Sequence, residues 1–242
     1  MSWLDALSRI EDLEDADFDA GLVAEFERRS DVAISRPIRF STPTFKEYES
    51  TELEGCGKNS FPAFSITAGE CGLNCDHCQK KILEPMIPAT NPAMLDEKVR
   101  RLIETEQLSG FLLSGGSNRK NEIPYGRYMP VVEGLKRDFP GLKIAVHTAL
   151  LDERRAKQME SAGVDNVMMD VIGAQETIEQ VYKLQRPVED FEETLAALCT
   201  TSMEVTPHIV IGLHYGRILG EENALDMVSR YTINALVLVV IM

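Results

Sequence analysis

From residue 61 onward, short apolar runs alternate with stretches in which apolar residues recur at helical spacing. Apolar runs of about four to eight residues are typical of buried strands, and strands that alternate with helices are typical of a parallel α/β fold. The predicted strands are Phe61–Thr67, Gly110–Leu113, Lys143–Thr148, Asn166–Ile172, Met203–Leu213 and Ala235–Met242.

The stretches between these strands predict helices. Asn91 before Pro92 is a typical helix start, and Gly163 is a typical stop for the helix that precedes it. A long or doubled helix is predicted over residues 174–201, with a break near Pro187. The other predicted helix boundaries are an end before Gly110, an end near Phe139, a start at Asp152 and a start near Glu221.

Two regions are expected, an acidic helical extension with an extended lead-in over residues 1–60 and an α/β domain over residues 61–242. In the extension, apolar residues stand among acids at loosely helical spacing, which favours a cover for one end of the domain over a partner-binding module. The final apolar run would leave its last carbonyl groups without partners, so we expect the C-terminus to be truncated.

The charge of the chain excludes several classes of partner. Its 242 residues carry a net charge of −14, half of it from residues 1–33, which argues against nucleic acid and anionic membranes as partners. No apolar segment reaches the roughly 18 residues of a membrane span, and no leader pattern is seen. Five cysteines, three of them in one short run, suit a reducing compartment, so a cytoplasmic protein is expected.

The run GECGLNCDHCQ contains Cys71, Cys75 and Cys78 in a C-x3-C-x2-C spacing directly after the first predicted strand. Thiolates are the ligands that suit iron-sulfur clusters, and a four-iron cluster needs four ligands. Three thiolates leave one iron open, where an amine and a carboxylate could chelate. The methionine end of S-adenosylmethionine supplies both groups, so the loop predicts a [4Fe-4S] cluster with that cofactor.

Two other interpretations of the cysteine run remain open. Cys71, Cys75 and Cys78 with His77 could hold a structural zinc, although such sites normally bring a second ligand pair from a distance. Cys75 and Cys78 could instead form a dithiol redox pair. The remaining cysteines, Cys56 and Cys199, are isolated in the sequence, and no further C-x-x-C motif occurs.

The cysteine run and its position after a strand resemble the signature of the radical S-adenosylmethionine (radical SAM) superfamily. That resemblance implies a partial (β/α)6 TIM-type barrel, with a full eightfold barrel as the alternative. It also implies a [4Fe-4S] cluster, S-adenosyl-L-methionine and a low-potential electron donor. His77 stands where the family has an aromatic residue near adenine. Ser114, Gly115 and Gly116 match the family's GGE-type motif, which binds the methionine amine, and Gly212 resembles its adenine-binding strand.

Further polar residues lie near predicted strand ends, where catalytic groups gather in barrels. His147 and Thr148 close the third strand and Asp170 lies near the end of the fourth, so each could contact ribose, carboxylate or substrate. Thr148 and Asp170 are therefore predicted to bind cofactor. The alternatives are a carboxylate paired within the barrel for Asp170 and a core imidazole for His147. His208 and His214 share a strand face by parity, which makes a bridged pair conceivable.

Longer phrases, among them RFSTPTFKEYES, FLLSGGSNRKNEIP and IVIGLHYGRILGEE, resemble a biotin synthase-like group with members similar to two-component lipoyl synthases. That resemblance implies sulfur insertion into an octanoyl chain on a protein lysine, with a lipoyl-carrier protein or peptide and a second synthase component as partners. Cys56 and Cys199 are too few to hold the sulfur-donating cluster. Either the missing ligands lie beyond the expected truncation, or the protein performs another radical reaction, such as a rearrangement or methylthiolation.

Overall fold

A computed structural model describes residues 61–105 and 108–240, so the predicted extension over residues 1–60 lies outside the described part. The strands are β1 (Ala63–Ser65), β2 (Ile87–Pro88), β3 (Gly110–Ser114), β4 (Lys143–Thr148), β5 (Asn166–Asp170), β6 (Glu204–Ile211) and β7 (Val237–Val240). The helices are α1 (Pro92–Thr105), α2 (Met129–Asp138), α3 (Glu153–Ala162), α4 (Gln175–Gln180), α5 (Glu189–Cys199) and α6 (Glu221–Ser229). Two short 3₁₀ turns cover Lys81–Leu83 and Tyr125–Tyr128.

The strands form one parallel sheet in the order β2-β1-β3-β4-β5-β6-β7. From β3 to β7 the order follows the chain, with helices in the connections, as expected of right-handed βαβ units. This is the partial TIM-type barrel that the sequence predicts. Within the described residues the sheet stays open between β2 and β7, so the eightfold alternative is wrong for this part of the chain.

All six predicted strands are present, and β2 is an addition that the sequence pattern did not predict. This two-residue strand pairs Ile87 with Phe64 of β1 and extends the sheet beyond its first predicted strand. The doubled helix predicted over residues 174–201 is confirmed as α4 and α5, with residues 181–188 between them. Among the described helices, none has the length and apolar character needed to cross a bilayer.

The predicted helix boundaries have clear local causes. The Asn91 side chain accepts a 2.9 Å hydrogen bond from the backbone N–H of Met94, which satisfies one free donor in the first turn of α1. The Asp152 side chain does the same for Arg155 in α3, at 2.8 Å. Gly163 ends α3 in the left-handed conformation, φ 88°, that favours glycine. These caps confirm the helix starts and the stop predicted from the sequence.

The two faces of the sheet carry different side chains. Residues such as Val146, Val167 and Val205 face the helices and belong to the main hydrophobic core. Because side chains alternate along a strand, their neighbours point to the opposite face, called here the inner face. In the centre of the sheet the inner face carries mostly partly exposed or polar residues, namely Leu112, His147, Asn166, Met168, Asp170, Thr206 and His208, together with the small buried Ala145. Polar chemistry in the sheet is therefore concentrated on one face.

Candidate functional site

The cysteine loop, residues 66–80, follows β1 at the carboxyl edge of the sheet and is held from two sides. On one side, the backbone N–H of Gly72 donates a 2.6 Å hydrogen bond to the carbonyl of Ser117, beyond the end of β3. On the other, the N–H of Asp76 donates to the carbonyl of Val181, beyond the end of α4, at 2.9 Å. The loop is thus fixed by two neighbouring segments of the fold.

The three thiols lie on this loop and all are free cysteines. Cys71 Sγ donates to the carbonyl oxygen of Ser117 at 3.7 Å. The ligand atoms of Cys75, His77 and Cys78 lie within 4.8 Å of one another, a group that among the described residues does not include Cys71. A cubane places each thiolate on a different iron, so it does not require the three sulfurs to surround one ion.

The neighbouring thiols of Cys75 and Cys78 have pKa shifts in opposite directions in the metal-free chain. The hydrogen bond from Cys75 and the nearby His77 lower the pKa of the Cys78 thiol to about 4, although burial opposes this shift. The pKa of Cys75 is raised, chiefly because its thiol donates to Cys78 and because it is buried. Cys78 is therefore the thiolate that is available first for a metal.

A second apolar cluster, distinct from the main core, packs around the cysteine loop. Cys75 belongs to this cluster, and Cys71 and Cys78 pack against it. Its other buried members are Leu73, Leu150, Ile172, Ile178, Val181, Tyr182, Leu184, Phe191 and Leu213. An apolar shell of this kind limits the access of water to thiolate ligands and affects the reduction potential of a cluster held there.

Asp76, between the second and third cysteines, anchors the loop through its side chain. Its Oδ2 accepts a 2.7 Å hydrogen bond from the Tyr215 hydroxyl and lies 2.8 Å from Lys183 Nζ. The Lys183 and Tyr215 contacts lower the pKa of Asp76, so the carboxylate is charged at neutral pH. Asp76, Lys183 and Tyr215 were not among the residues predicted from the sequence. The one available signal was the position of Asp76 inside the cysteine motif.

Gly115 and Gly116, predicted to bind cofactor, pack tightly against the cysteine loop. A Cβ added at Gly116 would lie 2.0 Å from the carbonyl oxygen of Glu70 and 2.6 Å from the Cα of Cys71. The N–H of Gly116 also donates to the Thr67 hydroxyl at 2.7 Å. Glycine is required here because two backbone segments touch. Ser114, the third member of this motif, is buried at the end of β3.

Gly212 follows β6 and starts a tight turn. Its φ of 76° favours glycine, and the N–H of Gly216 donates back to its carbonyl at 2.8 Å. The buried Glu221 side chain accepts hydrogen bonds from the N–H groups of Gly212, at 2.9 Å, and Leu219, at 2.6 Å. Glu221 therefore holds the turn in place, a role that no sequence pattern indicates.

On the inner face, the structure brings His147, Asp170 and His208 together. Asp170 Oδ1 lies 3.8 Å from His147 Nε2 and 3.9 Å from His208 Nδ1. Burial disfavours the charged imidazolium of His147, but the neighbouring Asp170 carboxylate outweighs it and raises the His147 pKa. Burial and the charge of His147 lower the pKa of His208 to about 4. Thr148 is buried, and its hydroxyl donates to the Ala149 carbonyl at 3.2 Å.

The other two histidines, His77 and His214, lie outside this group and have different neighbours. His77 packs against Tyr182, with ring centroids 4.8 Å apart. The bridged pair of His208 and His214 does not form, because β6 ends at Ile211 and the chain turns before His214. His214 Nδ1 instead lies 3.2 Å from the Thr177 hydroxyl. The cofactor-binding roles predicted for His77, Thr148, Asp170 and Gly212 stay predictions.

The isolated cysteines do not extend the thiol site within the described residues. Cys199 lies at the end of α5, with its Sγ 3.9 Å from the carbonyl oxygen of Thr232, and it packs against the main core. Cys56 lies outside the described part of the chain.

An open parallel α/β sheet with a three-thiol loop beyond its first strand defines the class of protein: a partial TIM-type barrel with three free cysteines in a loop at its carboxyl edge. The Radical SAM superfamily profile matches residues 65–228, about two thirds of the chain, and this chain belongs to that superfamily. Its cofactors are a [4Fe-4S] cluster and S-adenosyl-L-methionine. The three free thiols, held on one loop without a fourth, fit such a cluster.

Solved structures show the same fold at low identity. HydG, a maturase of the [FeFe]-hydrogenase, is 14% identical with a TM-score of 0.55, and the alignment covers 75% of this chain and 43% of HydG. Methylornithine synthase (PylB) is 11% identical with a TM-score of 0.53, covering 75% of this chain and 53% of PylB.

A third similar structure is TsrM from Kitasatospora setae, a radical S-adenosylmethionine methyltransferase solved with cobalamin and a [4Fe-4S] cluster. It is 15% identical with a TM-score of 0.52, and the alignment covers 73% of this chain and 34% of TsrM. The chain thus spans about a third to a half of the length of these proteins. No curated protein sequence matches the chain.

Proposed function

We propose that Cys71, Cys75 and Cys78 hold a [4Fe-4S] cluster and that the protein is an enzyme that uses it to cleave S-adenosylmethionine. The observation that carries this proposal is the placement of three free thiols on one loop at the carboxyl edge of the sheet, inside the region that matches the superfamily. When bound, the cluster and S-adenosylmethionine together supply reductive cleavage of the cofactor and hydrogen abstraction from an unactivated carbon.

The residues of the chain position and shield these groups. Hydrogen bonds from Gly72 and Asp76 to segments on either side orient the cysteine loop. The Ser114–Gly116 segment lies directly against that loop, so its backbone would stand next to the amine of a bound S-adenosylmethionine. The apolar cluster around Cys75 keeps water away from the thiolates. The inner face is the surface on which a substrate would lie.

Cysteine substitutions test this assignment. After anaerobic reconstitution with iron and sulfide, then reductant and S-adenosylmethionine, the unsubstituted chain should form 5′-deoxyadenosine. Cys71→Ser, Cys75→Ser and Cys78→Ser should each abolish product, whereas the control Cys199→Ser should retain it. A colourless chain with one zinc would support the structural zinc instead. Retained redox activity in Cys71→Ser, with loss in Cys75→Ser and Cys78→Ser, would support the dithiol interpretation.

We further propose that the substrate is an octanoyl chain carried on a protein lysine and that the reaction is sulfur insertion. The support is the resemblance of the longer sequence phrases to the lipoyl synthase-like group. Of the described cysteines, Cys199 alone lies outside the loop, so this chain would perform hydrogen abstraction and a second synthase component would supply the sulfur. A low-potential electron donor and a lipoyl-carrier protein or peptide complete the proposed set of partners.

A deuterated octanoyl-lysine peptide tests the substrate independently of the cluster. The expected result is deuterium in the 5′-deoxyadenosine that the reconstituted enzyme releases. The control is the same peptide without deuterium. If 5′-deoxyadenosine forms at the same rate but carries no deuterium, the lipoyl proposal is wrong while the cluster assignment stands, and a rearrangement or methylthiolation becomes the better candidate.

A further inference from the structure

A second group of metal-ligand side chains lies on the inner face, apart from the cysteine loop. His147 is near the end of β4, Asp170 is the last residue of β5, and His208 lies in β6. One ligand atom from each lies within 4.8 Å of the other two. The two imidazole rings are tilted, with centroids 5.3 Å apart, and both rings face the same carboxylate oxygen.

The Asp170 carboxylate lies slightly too far from the two imidazole rings for hydrogen bonds of normal length. Asp170 Oδ1 lies 3.8 Å from His147 Nε2 and 3.9 Å from His208 Nδ1, beyond normal hydrogen-bond distances. Ligands at about 2.1 Å from a tetrahedral ion are separated by roughly 3.4 Å. Each distance from Asp170 to an imidazole nitrogen would therefore shorten by about half an ångström when the side chains bind one ion.

The backbone holds the three residues in this arrangement. Asp170 pairs directly with His208 across β5 and β6. His147 pairs with Met168, two residues before Asp170 and on the same face. Three neighbouring strands thus present one ligand each, and strands fix ligand geometry better than loops do. The side chains are 28%, 33% and 16% exposed for His147, Asp170 and His208, so an ion can reach them.

We propose that His147, Asp170 and His208 form a mononuclear site for a divalent first-row transition metal ion. Two imidazoles and one carboxylate suit Zn²⁺ or Fe²⁺, whereas Ca²⁺ and Mg²⁺ require mostly oxygen ligands. With only three protein ligands, the metal ion would have open coordination positions that face the space above the inner face of the sheet. An oxygen or nitrogen atom of the substrate can bind there. The site assigns Asp170 to a metal rather than to S-adenosylmethionine, and it does not depend on the cluster.

Cobalt titration tests this site, because Co²⁺ reports its ligands by visible absorption. The full chain carrying Cys71→Ser, Cys75→Ser and Cys78→Ser should bind about one Co²⁺, with ligand-field bands and without thiolate charge-transfer absorption. Adding Asp170→Asn or His208→Gln should weaken binding more than 100-fold, since loss of an outer-shell partner alone costs about 10–100-fold. The matched control His214→Gln should bind Co²⁺ as tightly as its parent.

If the triple variant does not fold, the same titration is carried out on the unsubstituted chain. Co²⁺ bound to the cysteine loop then shows thiolate charge-transfer absorption, which distinguishes it from Co²⁺ bound to His147, Asp170 and His208. Circular dichroism verifies the fold of each variant. Equal Co²⁺ affinity with and without Asp170→Asn and His208→Gln would overturn the proposal. Absence of the nitrogen and oxygen ligand-field bands in the folded parent would also overturn it.

Discussion

Tyr215 donates a 2.7 Å hydrogen bond to Asp76, although 139 positions separate the two residues in the sequence. Tyr215 lies in the turn after β6, with φ 53°, and Asp76 lies between the second and third cysteines of the loop. The same hydroxyl also lies 3.0 Å from the Gln180 carbonyl, at the end of α4. The turn after β6 therefore closes over the cysteine loop and ties it to α4.

Loss of the Tyr215 hydroxyl should loosen the cysteine loop. In reconstituted Tyr215→Phe, we expect a chelator to remove cluster iron about two- to fivefold faster, since exposed charge-assisted contacts contribute little individually. The control is Tyr231→Phe, because the Tyr231 hydroxyl donates to another carboxylate, Glu192, away from the loop. Anaerobic iron release followed by absorbance measures both. Equal release rates in the two variants would contradict the anchoring role of Tyr215.

A side chain at Gly116 should disrupt the contact between the motif after β3 and the cysteine loop. Because a Cβ would lie 2.0 Å from the Glu70 carbonyl, Gly116→Ala should lower the free energy of unfolding by about 1–3 kcal/mol and reduce iron incorporation. Gly69→Ala is the control in the same loop, since its Cβ would meet no atom within 4 Å. Thermal unfolding and iron content measure the effect. Similar results for both variants would exclude a packing role for Gly116.

The lowered pKa of Cys78 predicts an unusual pH profile for alkylation of the metal-free chain. With a pKa of about 4, Cys78 is already a thiolate at weakly acidic pH, so its reaction with iodoacetamide should be nearly constant between about pH 6 and 8. Burial raises the pKa of Cys199, so its rate should rise about tenfold per pH unit. Mass spectrometry of the alkylated peptides measures the rates at Cys78 and Cys199 separately. A tenfold rise per unit at Cys78 would contradict the predicted thiolate.

The buried carboxylate of Glu221 should stabilise the turn at Gly212. Glu221→Ala leaves the N–H groups of Gly212 and Leu219 without their acceptor, so the free energy of unfolding should fall by about 1–3 kcal/mol. The neighbouring exposed residue supplies the control, Glu222→Ala, which should change stability by less than about 0.5 kcal/mol. Urea unfolding measures both variants. Equal stability of the two would show that Glu221 does not hold the turn.

The regular part of the fold could be predicted because its signals are local. The strand Lys143–Thr148 appears with the predicted bounds, and Asn91 and Gly163 act at helix ends as their side chains and backbone freedom predict. The short strand β2 could not be predicted, because Ile87–Pro88 has no periodicity of its own and is defined only by pairing with β1.

The candidate site was predictable only where its residues are close in sequence. Cys71, Cys75 and Cys78 form a readable motif, but the contact between Asp170 and His208 depends on the register of two strands, which a single sequence does not specify. The alternation of side chains along a continuous strand predicts that His208 and His214 lie on one face. The turn at Gly212 ends that alternation, so the parity argument fails beyond Ile211.

Electron paramagnetic resonance of the reduced, reconstituted chain tests most directly whether a cluster held by three thiolates leaves one iron free for S-adenosylmethionine. The spectrum should show a reduced [4Fe-4S] cluster whose signal shifts when S-adenosylmethionine is added, with no such signal in Cys71→Ser. A chain without a cluster signal, or a cluster whose spectrum is identical with and without S-adenosylmethionine, would contradict the proposed function.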